Sequence, residues 1–219
     1  MTIHRFRTDD EVVKFARSWL WGLSRFVGKN VRCCLTATEK GEVAWFPALI
    51  ESCAFLDLLA TLYRGVKFAK VKDVQAYAAR FLAPEHYPPY ELEILWAGFR
   101  HKIAHQAHPN YVLDTKRENI KGRRRRIVWS VVSEDLKPAL RLVKVDERDS
   151  LSSPNPMVPW PVPYGYRITI SPLRLQIDLR NSIYGPQGYL KWLEGNPAGR
   201  WNFAEAMLRF FPPKPTLPR

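Results

Sequence analysis

Apolar residues recur every three or four positions through the first half of the chain. Val12, Phe15, Trp19, Leu20, Leu23 and Phe26 share one face of a helix that Thr8 or Asp9 can cap and that Gly28 is expected to end, near residue 27. A more apolar helix is predicted from Ala44 to Tyr63, closed by Gly65. Leu49, Cys53, Leu56, Leu59 and Leu62 form its inner face, and Glu51 and Asp57 are its only acids. A third helix should run from Lys72 to Phe81, stopped before Pro84. A fourth should start after Pro89 and end before Pro109, because proline cannot continue a helix and restricts the residue ahead of it.

The pattern changes after Asn110. "RRRRIVWSVVSEDLKPALRLVKV" concentrates β-branched and aromatic residues as strands do, and predicts two strands joined by a turn around Asp135 to Pro138. "SLSSPNPMVPWPVPYG" is a proline-rich loop, and "YGYRITI" is another strand. Leu173, Leu175, Ile177 and Leu179 alternate like a strand. Ser171 and Pro172, however, make a cap and first helical residue, and the cap decides for a helix. Gly185-Pro186 breaks it, with helical segments at 187–194 and 200–210 and a loose tail, "FPPKPTLPR". The expected organisation is a helical bundle over 1–111, a β-containing insertion over 112–171, helices completing the bundle over 172–211, and a tail over 212–219. The fold class is mainly α, and α+β overall.

Composition narrows the function classes. The chain has 219 residues and 46% hydrophobic content, enough for one sizeable core. No run approaches 18 consecutive apolar residues, so no membrane span is expected, and the polar start "MTIHRFRTDDEVV" lacks a signal peptide's apolar segment. Three cysteines, Cys33, Cys34 and Cys53, read as reduced thiols of a cytoplasmic protein. A formal charge of +13 favours acidic partners, nucleic acid above all. Of the eight tryptophans, most are expected in the core and one or two are available to stack bases. There is no phosphate-cradling glycine loop, nucleophile elbow or Cys-x-x-Cys, so no dehydrogenase, P-loop ATPase, serine hydrolase or zinc ribbon is supported.

The chemistry concentrates in "FRHKIAHQAHPN", residues 99–110. On the fourth helix, Leu92, Leu95, Trp96, Phe99 and Ile103 form a core stripe. Arg100, His101 and His105 lie off it, on a side shared with the small residues Ala97 and Ala104 that let another backbone approach. A histidine near neutral pKa can take a proton from a ribose hydroxyl, and an always-charged arginine can hold the phosphate. That pair suffices for RNA cleavage through the 2′-OH without a cofactor.

"RHKIAH" (Arg100 to His105) resembles the R-x4-6-H motif of the HEPN superfamily, including the polar residue after the arginine, here His101. The resemblance covers roughly residues 8–108. It implies a helical bundle with the motif late in a long helix, catalytic Arg100 and His105, and a supporting His101; Glu51 and Asp57, on the preceding apolar helix, are the candidate supporting acids. Many members of that superfamily are ribonucleases of toxin–antitoxin, CRISPR and anti-phage systems. The resemblance therefore implies RNA as substrate, a homodimer joining two motifs, and an antitoxin or regulatory partner.

Other readings of the same residues stay open. Arg100 can pair with Glu51 or Asp57, with His105 and His108 placed to suit a helix C-terminus. His101, His105 and His108 have metal-ligand spacing, against which stands the cationic Lys102 where a zincin has its glutamate. A non-catalytic RNA- or nucleotide-binding module and a helix-packing interaction protein are the alternatives to a nuclease. "GRRRR" is an ordinary charged turn or a phosphate-contacting arm. In the second case Lys121, Arg123, Arg124, Arg125 and Arg126, with Lys102 beside the motif, would contact RNA.

Overall fold

The computed structural model describes residues 6, 8–36, 43–96, 112–113, 126–132, 134–144 and 166–211. α1 (Asp9–Leu35) starts where Thr8, in extended conformation, accepts the Glu11 amide at 3.3 Å. Asp9, Asp10 and Glu11 then complement the positive end of the helix. Gly28 does not end it. The helix runs on for another two turns, and Gly28 is buried in its interior because a helix from the far end of the chain crosses there. A Cβ at Gly28 would stand 3.2 Å from Nε2 of Gln176. The glycine marks a close approach between elements rather than a stop.

α2 (Trp45–Arg64) ends as its sequence predicts, on Gly65 in left-handed conformation (φ +66°) with its amide donating to Thr61 O at 2.9 Å. α2 is long and apolar enough, by length and composition, to cross a membrane. Half of it is buried here, and it packs on α1, on α3 (Val71–Phe81) and on the two C-terminal helices α5 (Pro172–Tyr184) and α7 (Pro197–Phe210), the position of a core helix. α4 (Pro89–Leu95) begins on proline, and Trp96 after it still has helical backbone (φ −62°, ψ −49°). The rest of the predicted fourth helix lies outside the described residues.

The leucine alternation after residue 172 resolves as helix α5, for the reason the cap gives: Ser171 Oγ accepts the Arg174 amide at 3.1 Å. α6 (Tyr189–Gly195) follows, then α7, capped by Asn196 accepting from Gly199 N at 2.8 Å. α6 begins two residues after and ends one residue after the expected 187–194, and α7 begins three residues before the expected 200 and ends at 210 as expected. Tyr63, Tyr77, Phe81, Tyr189 and Trp192 knit α2, α3 and α6 together, with Phe81 and Tyr189 rings 5.6 Å apart and Tyr63 and Trp192 5.1 Å apart. Such pairs add about 0.5–1.5 kcal/mol each beyond the area they bury.

The strands form a small sheet beside the bundle: β1 (Val112–Leu113), β2 (Arg126–Val131), β3 (Leu140–Lys144) and β4 (Tyr166–Ile170), in spatial order β1-β2-β4-β3. β2 and β3 are joined by a short connection but do not pair with each other. β4 lies between them, parallel to β2 (Ile127 opposite Tyr166) and antiparallel to β3 (Leu140 opposite Ile170). The connection must therefore arch across two strand spacings, roughly 10 Å. β4 takes the middle because Tyr166, Ile168 and Ile170 alternate inward and are all buried, while β3 carries exposed Arg141, Val143 and Lys144 suited to an edge. The protein is thus mainly α, with a small β insertion that meets the bundle through β3 and α4.

Candidate functional site

Arg100, His101, Lys102, His105 and His108 lie outside the described residues, as do Lys121, Arg123, Arg124 and Arg125. Arg126 opens β2, opposite Leu113 of β1. What the structure does describe is the approach to the Arg/His stretch. Leu92 and Leu95 are buried. Together with Trp96 they line one small cavity with Cys53 and Leu56 of α2 and Val74 of α3. The chain thus enters residue 97 from a helical turn fixed against the middle of α2.

Asp57 stands one turn beyond Cys53 on that same helix. Burial, and then the Asp57 charge, push the Cys53 thiol up to about 12, so it is an inert, protonated packing group. Glu51, two residues before Cys53, accepts a hydrogen bond from Asn30 Nδ2 at 3.0 Å and ties α2 to α1. Of the two acids expected to support an active site, Glu51 is thereby engaged in holding two helices. Cys33, Cys34 and Cys53 are all free thiols.

A second polar cluster escaped the sequence reading. Arg174, on the first turn of α5, is only 8% exposed. Its Nε donates to Asp178 Oδ1 at 2.9 Å, Nη2 reaches the same oxygen, and Nη1 donates to Asp135 Oδ1 at 3.3 Å. Tyr87 donates its hydroxyl to Asp178 Oδ2 at 2.8 Å, and His86 Nδ1 lies 3.9 Å from that atom. Ser171 adds a bond from Oγ to the Glu134 carbonyl at 2.6 Å. A histidine, a tyrosine, an aspartate and an arginine in one place invite a catalytic reading. The electrostatics argue otherwise. Burial, and then the Asp178 charge, push the Tyr87 hydroxyl far above its ordinary value, so it stays protonated. Hydrogen bonding to Asp178 raises Arg174 and keeps it charged. Arg174, Asp178 and Tyr87 hydrogen-bond one another within the cluster. It pins the α3–α4 loop and the β2–β3 connection to α5, which seats the sheet on the bundle. The Arg174–Asp178 pair shows in the sequence as an i, i+4 pair, whereas Tyr87 and Asp135 come from segments 91 and 39 positions away from their partners.

Comparison with known protein families, with curated proteins and with solved structures finds no match for this chain.

Proposed function

We propose that the chain binds RNA and cleaves it without a metal ion, as a HEPN-type endoribonuclease in which Arg100 and His105 are the reacting pair. The observation that carries this is the Arg100-His101-x-x-x-His105 spacing, which begins four residues after Trp96, where the backbone is still helical and its turn is anchored on α2. A charge of +13 supplies the attraction for a polyanion. His105 takes the proton of a ribose 2′-OH, the 2′-oxygen attacks phosphorus, and the bond to the 5′-oxygen breaks as that oxygen takes a proton from solvent. Arg100 neutralises the charge that builds on the phosphate oxygens. The products are a 2′,3′-cyclic phosphate and a 5′-hydroxyl. His101 orients the pair, and a second copy of the chain completes the cleft.

The test is incubation of purified protein with a mixed RNA pool, with and without EDTA. Cutting should persist in EDTA and vanish on a substrate whose 2′-OH is replaced by hydrogen. Arg100→Ala and His105→Ala should each abolish it with the fold intact, and His101→Ala should slow it less. The rate should change between about pH 5 and 8, where imidazole normally changes charge. A His105→Ala variant that cuts at the wild-type rate, or loss of cutting in EDTA, would overturn the mechanism.

A further inference from the structure

α1 turns a single-sign face to solvent. Lys14, Arg17, Ser18, Trp21, Arg25, Lys29 and Arg32 are all exposed, and their three- and four-residue spacing keeps them on one side of the helix. From Lys14 to Arg32 the face is ~27 Å long. No acid occurs in α1 after Glu11. Midway along the face, Trp21 is 46% exposed although it is large and apolar. Its ring meets Tyr184 of α5 edge-on at 6.0 Å, and the Arg25 guanidinium lies over it at 5.6 Å. Lys14, Arg17, Ser18, Trp21 and Tyr184 line an open cavity of about 450 Å³. Arg180, exposed one turn before Tyr184, adds a cation from α5. Asp10 and Glu11 lie one turn before Lys14, at the N-terminal end of the face, and Glu194 pairs with Arg17 at 2.6 Å and Lys191 at 3.0 Å, exposed and so weakly held.

This arrangement is unfavourable for a bare helix. Arg25 and Lys29, and Lys29 and Arg32, are like charges at neighbouring positions on the helix surface, each pair costing a few tenths of a kcal/mol. An anionic strand removes that cost. An exposed indole beside a second ring offers a stacking platform, which a base can use only when it is free of its own stack. We propose that single-stranded RNA runs along α1, with one base seated in the cavity against Trp21 and Tyr184 and successive phosphates on Arg25, Lys29 and Arg32. A lipid surface fits less well, because the apolar face of α1 (Val12, Ala16, Leu20, Val27, Val31) is spent inside the bundle. The proposal rests on the RNA reading above for the identity of the strand, not on the Arg100/His105 chemistry.

The experiment is fluorescence anisotropy with a short labelled oligouridine in EDTA, using the full chain carrying His105→Ala so that binding is read without cutting. Trp21→Leu should weaken binding about tenfold, the loss of one stacked base. Arg25→Gln with Lys29→Gln should lower the slope of log affinity against log salt by about 1.4, two phosphates on a single strand. Lys72→Gln with Arg209→Gln, equal charge removed from α3 and α7, should leave both quantities unchanged. Circular dichroism and thermal midpoints confirm that each variant folds. Wild-type affinity in Trp21→Leu, or displacement of RNA by polyglutamate or by anionic lipid vesicles at equal charge, overturns the proposal. RNA binding that survives every α1 substitution sinks this path alone, whereas no RNA binding by the parent chain sinks the functional reading too.

Discussion

Asp178 is the residue on which the union of sheet and bundle turns, since it receives Arg174 and Tyr87 at once. Asp178→Ala leaves a guanidinium that is only 8% exposed with Asp135 as its remaining acidic partner, a loss of charge-assisted hydrogen bonds that costs about 1.5–3 kcal/mol. Denaturant titration should register a loss of that order. Two buried tyrosines set the opposite expectation side by side. Tyr77 shares a 2.8 Å hydrogen bond with Ser182 Oγ, so Tyr77→Phe should destabilise by about 1 kcal/mol. The Tyr189 hydroxyl makes no hydrogen bond among the described residues and is fully buried, so Tyr189→Phe should be neutral or stabilising. A clear destabilisation by Tyr189→Phe would contradict that account. At this scale the sequence showed residue types but not company. Arg174 and Asp178 are one helical turn apart and could be paired on paper. Nothing local to Tyr87 or Asp135 points to them.

Elements were the most legible level, because caps and periodicity are local physics. Thr8, Ser171 and Gly65 each end or begin a helix where their chemistry requires it. Gly28 and Gly65 show where that reading stops. Both are glycines after an apolar stretch, yet one sits inside a helix at a crossing and the other turns left-handed. Gly65→Ala should cost about 1–2 kcal/mol from the left-handed backbone. The clash is additional, because the new Cβ would stand 2.9 Å from the Asn202 Cα. Gly28→Leu should also destabilise, by about 1–3 kcal/mol of overpacking against α5. Gly28→Ala should be far milder, because its Cβ meets only flexible side-chain ends, Gln176 Nε2 at 3.2 Å and Arg32 Nη1 at 3.7 Å, and alanine gains helix propensity. Thermal midpoints of the three variants, ranked in that way, check the distinction. The order of the strands was illegible for a related reason: composition identifies β2, β3 and β4 but not which of them lies in the middle.

For the molecule as a whole, buried acids of high pKa set an alkaline limit. Burial pushes Cys53 up to about 12 from 9.0, and pushes Tyr77, Tyr87 and Tyr189 above 10.0. Each group keeps its proton longer in the folded chain than in the unfolded one. Their contribution is therefore complete below about pH 9 and declines as pH rises, because the unfolded chain gives up those protons first. The thermal midpoint should fall between about pH 9 and 12, and a level midpoint across that window would refute the burial account. At this scale the mainly α architecture and the positive charge could be read in advance. The Arg100/His105 pair could be read as spacing. The α1 face could not, since exposure of Trp21 depends on what α5 leaves uncovered.

The position of β4 in the sheet has one more consequence, for the order in which the chain is made. Its middle strand is also its last, and the helices that cover α1 and α2 begin only at Pro172. A ribosome that has released the first 160 or so residues has delivered β2 and β3 with no strand between them, and a bundle lacking α5 and α7. Such a nascent chain exposes two strand edges and the apolar sides of α1 and α2 until β4 and α5 to α7 emerge. Prematurely terminated chains should therefore aggregate or be degraded rather than persist as a folded N-terminal fragment.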